Sequence, residues 1–319
     1  MNLKKSLALC LAAAAILTLL CACGSPASSK TETTTVKIGV TGSFYEDLWQ
    51  PAKELLKKDG IDLQIVQFSD FVTPNNALAN GEIDLNAFQH RVYLESEVKN
   101  YGYAIQNIGN TLIIPLNIYS QKVSSVSELK DGDTVAIPDD ESNGGRALKV
   151  LESAGLITLS PDAGFNPSVS DITSYKVKLQ IEELKANVIP SVLPDVTAAV
   201  VNGNFALDFG LKQEEAIFQD ENLDQKEYWC LIAARTADLE DADKKALYQS
   251  IVDAYHSAET QTVFDTTYKG YFVSVGWDED LLNLRSRERR YTPWLLTKAS
   301  SGPFSPGRSR RSLTASRKL

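Results

Sequence analysis

Two hydrophobic patterns alternate along the middle of the chain. Short apolar runs such as 36–40 are typical of β-strands, whereas 45–58 repeats apolar residues at the spacing of one helix face and ends at Gly60. Further strands are predicted over 63–68, 83–88, 113–119, 134–137, 178–181, 196–201 and 228–234, and further helices over 74–79, 147–154 and 241–256. This alternation predicts mostly parallel sheets with helices on both faces.

The length of the patterned region favours two such units over one large sheet. Without the first 35 residues the chain keeps about 280, which is enough for two modest domains. Ligands of α/β folds bind beyond the carboxyl ends of the strands, and a two-lobed arrangement places that site between the lobes. The sequence therefore predicts an α/β protein of two lobes with a ligand cleft between them.

The N-terminus has the pattern of an export signal. Lys4 and Lys5 precede an apolar run over 7–21, which is shorter than the roughly 20 residues that a membrane-spanning helix needs. The run closes with a small residue before Cys23 and so resembles a bacterial lipobox. The resemblance implies that 1–22 is a lipoprotein signal peptide and that Cys23 carries a thioether-linked diacylglycerol. An ordinary cleaved signal with an incidental Cys is the alternative.

Residues 23–35 are predicted to form a flexible leash. From Gly24 onward they contain only Gly, Ser, Pro, Ala, Lys, Glu and Thr, so they cannot bury an apolar face. A leash of this kind raises the local concentration of the folded part near a membrane partner.

Composition argues against metal or cofactor chemistry. The four cysteines are Cys10, Cys21, Cys23 and Cys230, and only Cys230 stays unmodified in the predicted mature chain, so no internal disulfide is expected. Two histidines cannot build a His-based metal cluster, and no Cys pair has zinc spacing. The sequence therefore predicts no metal and no cofactor.

Charge is distributed unevenly. The net charge is −9, but residues 282–319 carry ten Lys or Arg and one acid, so residues 1–281 sum to −18. An acidic body argues against a nucleic-acid partner. The tail over 283–319 is either a functional basic arm or a disordered, out-of-frame extension, and its scattered Ser, Pro and Gly favour the second.

One strand end carries a candidate anion site. The segment 136–148 passes from a strand through a polar turn into a helix that is predicted to open near Gly144, with Asn143 as a plausible N-cap. Free N–H groups of a helix start favour an anion, and Arg146 adds a planar fork that matches a carboxylate. A surface Arg beside a loop is the alternative reading. The segment lacks a phosphate-loop or dinucleotide fingerprint.

Two further strand ends carry polar and aromatic groups. In 84–93, Phe88, His90 and Tyr93 follow a strand, where aromatics can wall an apolar slot. His90 could donate a hydrogen bond to a ligand carboxylate or cap the next helix. In 200–206, an Asn after the strand could hold an amino or carboxylate group of a ligand.

These segments together carry a family resemblance. The stretches SDFVTPNNALANGEIDLNAFQHRVYL, IPDDESNGGRALKVLESAGLI and VVNGNFALDFGL resemble the NlpA lipoprotein family, the substrate-binding proteins of methionine-type ABC importers. The resemblance covers about 36–277 and implies a two-lobed periplasmic-binding-protein-like fold that closes on an amino acid. It assigns Arg146 and Asn143 to the ligand carboxylate and Asn202 to further polar contacts. The implied slot for the thioether chain is lined by Phe71, where the family usually has Tyr, and by Phe88, His90 and Tyr93.

Two departures from the family pattern bear on the ligand. Cys230 stands where the family has an Asn that faces the ligand, and a thiol is a weak hydrogen-bond partner. The first loop, 42–46, also differs from the family pattern. L-Methionine or a close analogue is the expected ligand, and another apolar amino acid or a short peptide is the alternative.

The resemblance also implies partners and a domain plan. It predicts a monomer, held on the extracytoplasmic face of the membrane by its lipid anchor, that delivers its ligand to an ABC permease and its ATPase. The predicted first lobe covers 36–117 and 228–282, and the second covers 118–227. An enzyme on the same fold is a competing class, but the sequence shows no Ser-His-Asp set or paired catalytic acids. A surface adhesin or sensor lipoprotein is another.

Overall fold

The computed structural model describes residues 33–284. The predicted signal peptide, Cys23 and nearly all of the leash lie outside these residues, as does the basic tail from position 285 onward. Within 33–284, no helix combines the length and apolar character needed to cross a membrane.

The described residues form thirteen strands and eight α-helices. The strands are β1 (Thr34–Val40), β2 (Ile61–Gln67), β3 (Leu85–Asn86), β4 (Ile105–Asn110), β5 (Leu112–Ile113), β6 (Leu116–Tyr119), β7 (Thr134–Pro138), β8 (Ile157–Leu159), β9 (Ile172–Tyr175), β10 (Gln180–Leu184), β11 (Ala198–Asn202), β12 (Leu231–Arg235) and β13 (Val273–Ser274). The helices are α1 (Tyr45–Lys58), α2 (Thr73–Ala79), α3 (Arg91–Tyr101), α4 (Glu141–Ser153), α5 (Gly203–Phe209), α6 (Ala242–Tyr255), α7 (Ala258–Val263) and α8 (Leu281–Leu284).

Each lobe is built on one mixed sheet. The first lobe has strand order β2-β1-β3-β12-β4, in which β1 runs parallel to β2 and β3 while β12 is antiparallel to both of its neighbours. The second has order β10-β7-β11-β6, with only β6 antiparallel to its neighbour. The predicted two-lobed α/β fold is confirmed. The sheets are less parallel than predicted, because the strands next to the crossings between lobes run the opposite way.

Buried apolar faces hold helices against both sheets. Helix α1 buries the face that its periodicity predicted, and the Trp49 ring packs on Tyr255 of α6 with centroids 4.4 Å apart. In the second lobe, Leu148 and Leu151 of α4 join a core with strand residues such as Ile118 and Ile137. Burial of one such large apolar side chain stabilises a fold by about 1.5–3 kcal/mol, so these faces fix the strand ends that carry the site.

The chain passes between the lobes twice. The first crossing, Ile114–Pro115, joins β5 to β6. The second crossing, residues 220–229, follows a segment in which Phe218 pairs with Ile118 beside β6, and it ends just before β12. The single strand predicted over 113–119 is therefore wrong: it is two strands, because Pro115 has no N–H to donate and the chain changes lobe there. The predicted domain boundaries lie near these crossings and stay a prediction.

Candidate functional site

A small cavity lies between the two lobes. Its wall contains all eight residues that the sequence singled out as ligand-binding, and their roles stay a prediction. The wall consists of Phe71, Phe88, Gln89, His90, Tyr93, Ile114, Pro115, Asn143, Arg146, Asn202, Asn204 and Cys230. Arg146 is the one residue among these twelve that carries a permanent charge.

Arg146 is a buried cation with donors left over. It projects from the second turn of α4 and is 4% exposed. Its Nη2 donates to the carbonyl oxygen of Ile114 at 2.9 Å and to Asp220 Oδ2 at 2.8 Å, and its guanidinium lies 4.6 Å from the centre of the Tyr228 ring. Within residues 33–284 no hydrogen bond is made by its Nε or Nη1. These N–H groups can bind a carboxylate.

The start of α4 differs from the prediction. Asp140, not Asn143, is the N-cap, because the chain is extended through Asp140 and turns helical one turn before Gly144. Asp140 Oδ1 accepts from the backbone N–H of Asn143 at 2.9 Å, and both carboxylate oxygens accept from Asn143 Nδ2 at 3.0 Å. A carboxylate thus already occupies this helix start, so the anion site here depends on Arg146 rather than on free helix N–H groups.

Asn202 places an acceptor at the cavity wall. It ends β11 and precedes α5, and its Nδ2 donates to Asn143 Oδ1 at 2.8 Å. Its Oδ1 is buried and, among the described residues, has no hydrogen-bond partner. A buried amide oxygen without a partner is costly, so this atom favours a ligand that brings an N–H donor such as an ammonium group.

His90 both caps a helix and borders the cavity. Its Nδ1 accepts from the backbone N–H of Tyr93 at the start of α3, at 3.2 Å, while its Nε2 lies 3.4 Å from Asn143 Oδ1. Burial, followed by the charge of Arg146, lowers the pKa of His90 to about 3. The ring is therefore neutral, with its proton on Nε2, and the two sequence-based alternatives for this residue are compatible.

Aromatic rings form the apolar part of the wall. Phe71 lies 6.0 Å from Phe88 and 6.1 Å from Tyr93 between ring centroids, and it packs against Phe205 of the second lobe at 4.8 Å. The Tyr93 hydroxyl donates to the Phe71 carbonyl oxygen at 2.9 Å and so fixes the loop that carries Phe71. The arrangement is a slot for a flexible apolar chain.

Cys230 borders the cavity from the end of the second crossing. It is 4% exposed, pairs with His90 in an isolated β-bridge, and its backbone N–H donates to the Leu112 carbonyl oxygen at 2.7 Å. Burial raises the pKa of the thiol to about 12, so the group stays protonated. Its side chain belongs to the core cluster of the first lobe that also contains Tyr45. Cys230 is thus a buried residue and a wall residue at once.

Direct contacts between the lobes close the cavity. Besides the Phe71–Phe205 contact, Asn187 Nδ2 donates to the Ser69 carbonyl oxygen at 3.0 Å and Asn204 Nδ2 donates to the Thr41 carbonyl oxygen at 3.2 Å. The backbone N–H and hydroxyl of Ser43 both donate to Asp208 Oδ1, at 2.9 and 2.6 Å. These cross-cleft contacts hold the two lobes together in this structure.

Sequence reasoning missed four residues of the wall and one behind it. Gln89 and Asn204 lie in the strand-end segments 84–93 and 200–206, so their position in the sequence could have identified them as wall residues. Ile114 and Pro115 belong to the first crossing, which the sequence did not reveal. Asp220 contacts Arg146, but it lies in a polar stretch that has neither strand nor helix periodicity, so nothing in the sequence pointed to it. Over residues 33–284, no group of three or more His, Cys, Asp or Glu is placed to hold a metal ion.

Comparisons with known proteins agree on one family. The family model described as NlpA lipoprotein matches residues 36–276. The D-methionine-binding lipoprotein MetQ of Escherichia coli K12 is 37% identical over 246 residues, which cover 76% of this chain and 88% of that protein. A nutrient-binding protein from Burkholderia cenocepacia bound to methionine aligns with a TM-score of 0.70 and 37% identity, over 76% of this chain and all of that one. The substrate-binding protein of a methionine transporter from Streptococcus pneumoniae aligns at 0.71 and 33%, over 76% of this chain and 96% of that one.

Proposed function

This chain belongs to the NlpA lipoprotein family, and we propose that it is the substrate-binding lipoprotein of an ABC importer that captures L-methionine or a close analogue. It binds its ligand without transforming it. The observation that carries the proposal is Arg146, a buried cation with unpaired N–H groups in a cavity otherwise walled by apolar and uncharged side chains. Such a wall fits one carboxylate joined to an apolar chain.

The proposed binding mode assigns each part of an amino acid to a part of the wall. The carboxylate pairs with the free donors of Arg146, the ammonium group donates to Asn202 Oδ1, and the side chain lies among the rings of Phe71, Phe88 and Tyr93. Asn143 orients Asn202 through their hydrogen bond. His90, being neutral, adds a polar wall without adding charge. Closure of the lobes then buries the ligand.

Membrane attachment and delivery complete the proposal. We infer that Cys23 carries the lipid anchor and that the folded part works on the extracytoplasmic face as a monomer. The lipobox pattern and the name lipoprotein in the family description support this inference. The closed form docks on an ABC permease driven by its ATPase, a step supported by the likeness to the binding protein of a methionine transporter.

A second ligand class has its own support. Cys230 and Phe71 stand in the wall where the family resemblance implies Asn and Tyr. Both differences remove a polar group, so another apolar amino acid or a short peptide is the alternative ligand.

Calorimetry with a panel of amino acids tests the proposal. Wild-type protein is expected to prefer L-methionine, and Arg146→Ala should weaken that binding at least tenfold, because losing one partner of a buried charge pair costs about 2–5 kcal/mol. Arg235→Ala is the matched control, since Arg235 is ion-paired with Asp238 in the first lobe and does not line the cavity. Unchanged affinity in a folded Arg146→Ala variant would falsify the carboxylate assignment.

A further inference from the structure

Arg146 touches both of the segments that join the lobes. Its Nη2 donates to Ile114 in the first crossing and to Asp220 in the second, and the Tyr228 ring of the second crossing lies against its guanidinium. Both N–H bonds of Nη2 are used in these two contacts. The guanidinium is therefore held at the two crossings by Nη2, and its Nε and Nη1 remain available to a ligand in the cavity.

Asp220 is itself held firmly. It is 6% exposed, its backbone N–H donates to Asn117 Oδ1 of β6 at 2.9 Å, and its Oδ1 accepts from the backbone N–H of Asn222 at 3.1 Å. The remaining oxygen, Oδ2, is the one that binds Arg146. Every one of these contacts lies within the second lobe or the second crossing, so Asp220 is fixed without help from a ligand.

The pair has an electrostatic consequence for the cavity. A buried Arg without a partner is strongly destabilising, and the side chains of Arg146 and Asp220 are only 5% and 3% exposed. Asp220 balances the charge of Arg146 before any ligand arrives. The site as a whole is then close to neutral, which suits a zwitterion better than a dicarboxylate.

We propose that Asp220 is a positioning residue of the carboxylate subsite, holding Arg146 at the crossings so that its Nε and Nη1 face the ligand. The inference rests on the proposed function. Asp220 does not line the cavity and acts only through Arg146. Its removal should therefore cost ligand affinity only while Arg146 is present.

A double-mutant cycle with L-methionine as the probe tests this coupling. Asp220→Ala should weaken binding at least tenfold in the wild-type background and less than threefold in the Arg146→Ala background. Asp220→Asn, which keeps an acceptor for Nη2, should recover most of the loss. If Asp220→Ala does not fold, Asp220→Ser replaces it, because the shorter side chain does not span the distance to Arg146. Asp238→Ala, which breaks an ion pair in the first lobe, is the control and should leave affinity unchanged.

The outcomes separate this inference from the function on which it rests. Equal losses in both backgrounds, or Asn no better than Ala, would show a general structural role and overturn the inference alone. Failure of every amino acid in the panel to bind wild-type protein would overturn the proposed function and this inference with it. Binding that survives Arg146→Ala would overturn the carboxylate subsite.

Discussion

At the scale of single residues, Cys230 has two possible roles, and they predict different effects of a substitution on ligand preference. If it faces the ligand amine, as the family resemblance implies, Cys230→Asn should add a hydrogen bond and strengthen L-methionine binding several-fold, because a neutral hydrogen bond contributes about 0.5–1.5 kcal/mol net. If its role is only to pack beside Tyr45, the variant buries an unsatisfied amide and melts at a lower temperature.

Titration of an amino-acid panel against the Cys230→Asn variant distinguishes these accounts. Cys230→Ala is the control, since it removes the sulfur without adding an amide. An unchanged ranking of ligands together with a lower melting temperature would remove Cys230 from the ligand-binding set.

The buried His90 predicts a dependence of stability on pH. Its pKa is lowered to about 3 in the folded protein, whereas an unfolded His titrates near about 6.5. Between these values the unfolded chain binds one proton more, so the free energy of unfolding falls as the pH falls, by up to about 1.4 kcal/mol per pH unit. The stability contributed by the neutral ring is thus present at neutral pH and lost in acid.

His90→Gln removes this titration. Urea unfolding should give wild type a higher free energy of unfolding than the variant near neutral pH. The difference between the two free energies should shrink as the pH falls from about 6.5 to about 3. A gap that stays constant across the interval would show that His90 is not held neutral by the fold.

Single residues also show why the site was largely predictable and Asp220 was not. The sequence placed four site residues in segments that follow a strand pattern: Phe88, His90, Arg146 and Asn202. The carboxyl ends of neighbouring parallel strands meet at one edge of a sheet, so such segments come close together. Asp220 contacts Arg146 across 74 positions of sequence, because the segment just before the second crossing pairs with β6 through Phe218 and Ile118. The sequence near Asp220 contains no pattern that predicts this pairing.

At the scale of elements, the start of α4 links stability to the site. Asp140 caps the helix and fixes the Asn143 side chain, so Asp140→Ala should lower the free energy of unfolding by about 1 kcal/mol and also weaken L-methionine binding several-fold. Asp241→Ala is the matched control, because Asp241 caps α6 in the first lobe. It should cost similar stability and leave binding unchanged.

Urea unfolding and calorimetry on both variants check this expectation. Equal affinities of the two cap variants would mean that Asn143 keeps its orientation without Asp140, and the proposed link between cap and site would be wrong.

Elements with strong periodicity were predicted well, and those set by tertiary pairing were not. Helix α1 has the predicted bounds, and α6 begins and ends within one residue of the prediction. Strand β4 was missed because Gln106, Asn107 and Asn110 give it no alternation, and its place comes from pairing with β12. The predicted strand 83–88 is reduced to Leu85–Asn86, which is held between β1 and β12.

At the scale of the whole molecule, the proposed membrane attachment depends on Cys23, which lies outside the described residues. If Cys23 carries the lipid, Cys23→Ala should release the protein from membranes, since two or more acyl chains are needed for lasting anchorage. Cys21→Ala is the matched control, because it leaves the lipobox cysteine in place. Equal partition of the Cys23→Ala variant and wild type into detergent would refute the anchor.

The contacts that close the cavity bear on the rate of ligand release as well as on affinity. In the proposed binding mode, a ligand leaves only after Phe71 separates from Phe205 and the hydrogen bond from Asn187 to Ser69 breaks. Both contacts join residues of the protein to each other, so in that mode they add the same barrier to the release of every ligand. The proposed function thus implies a minimum residence time set by the protein itself, which the ligand's own contacts can lengthen but not shorten.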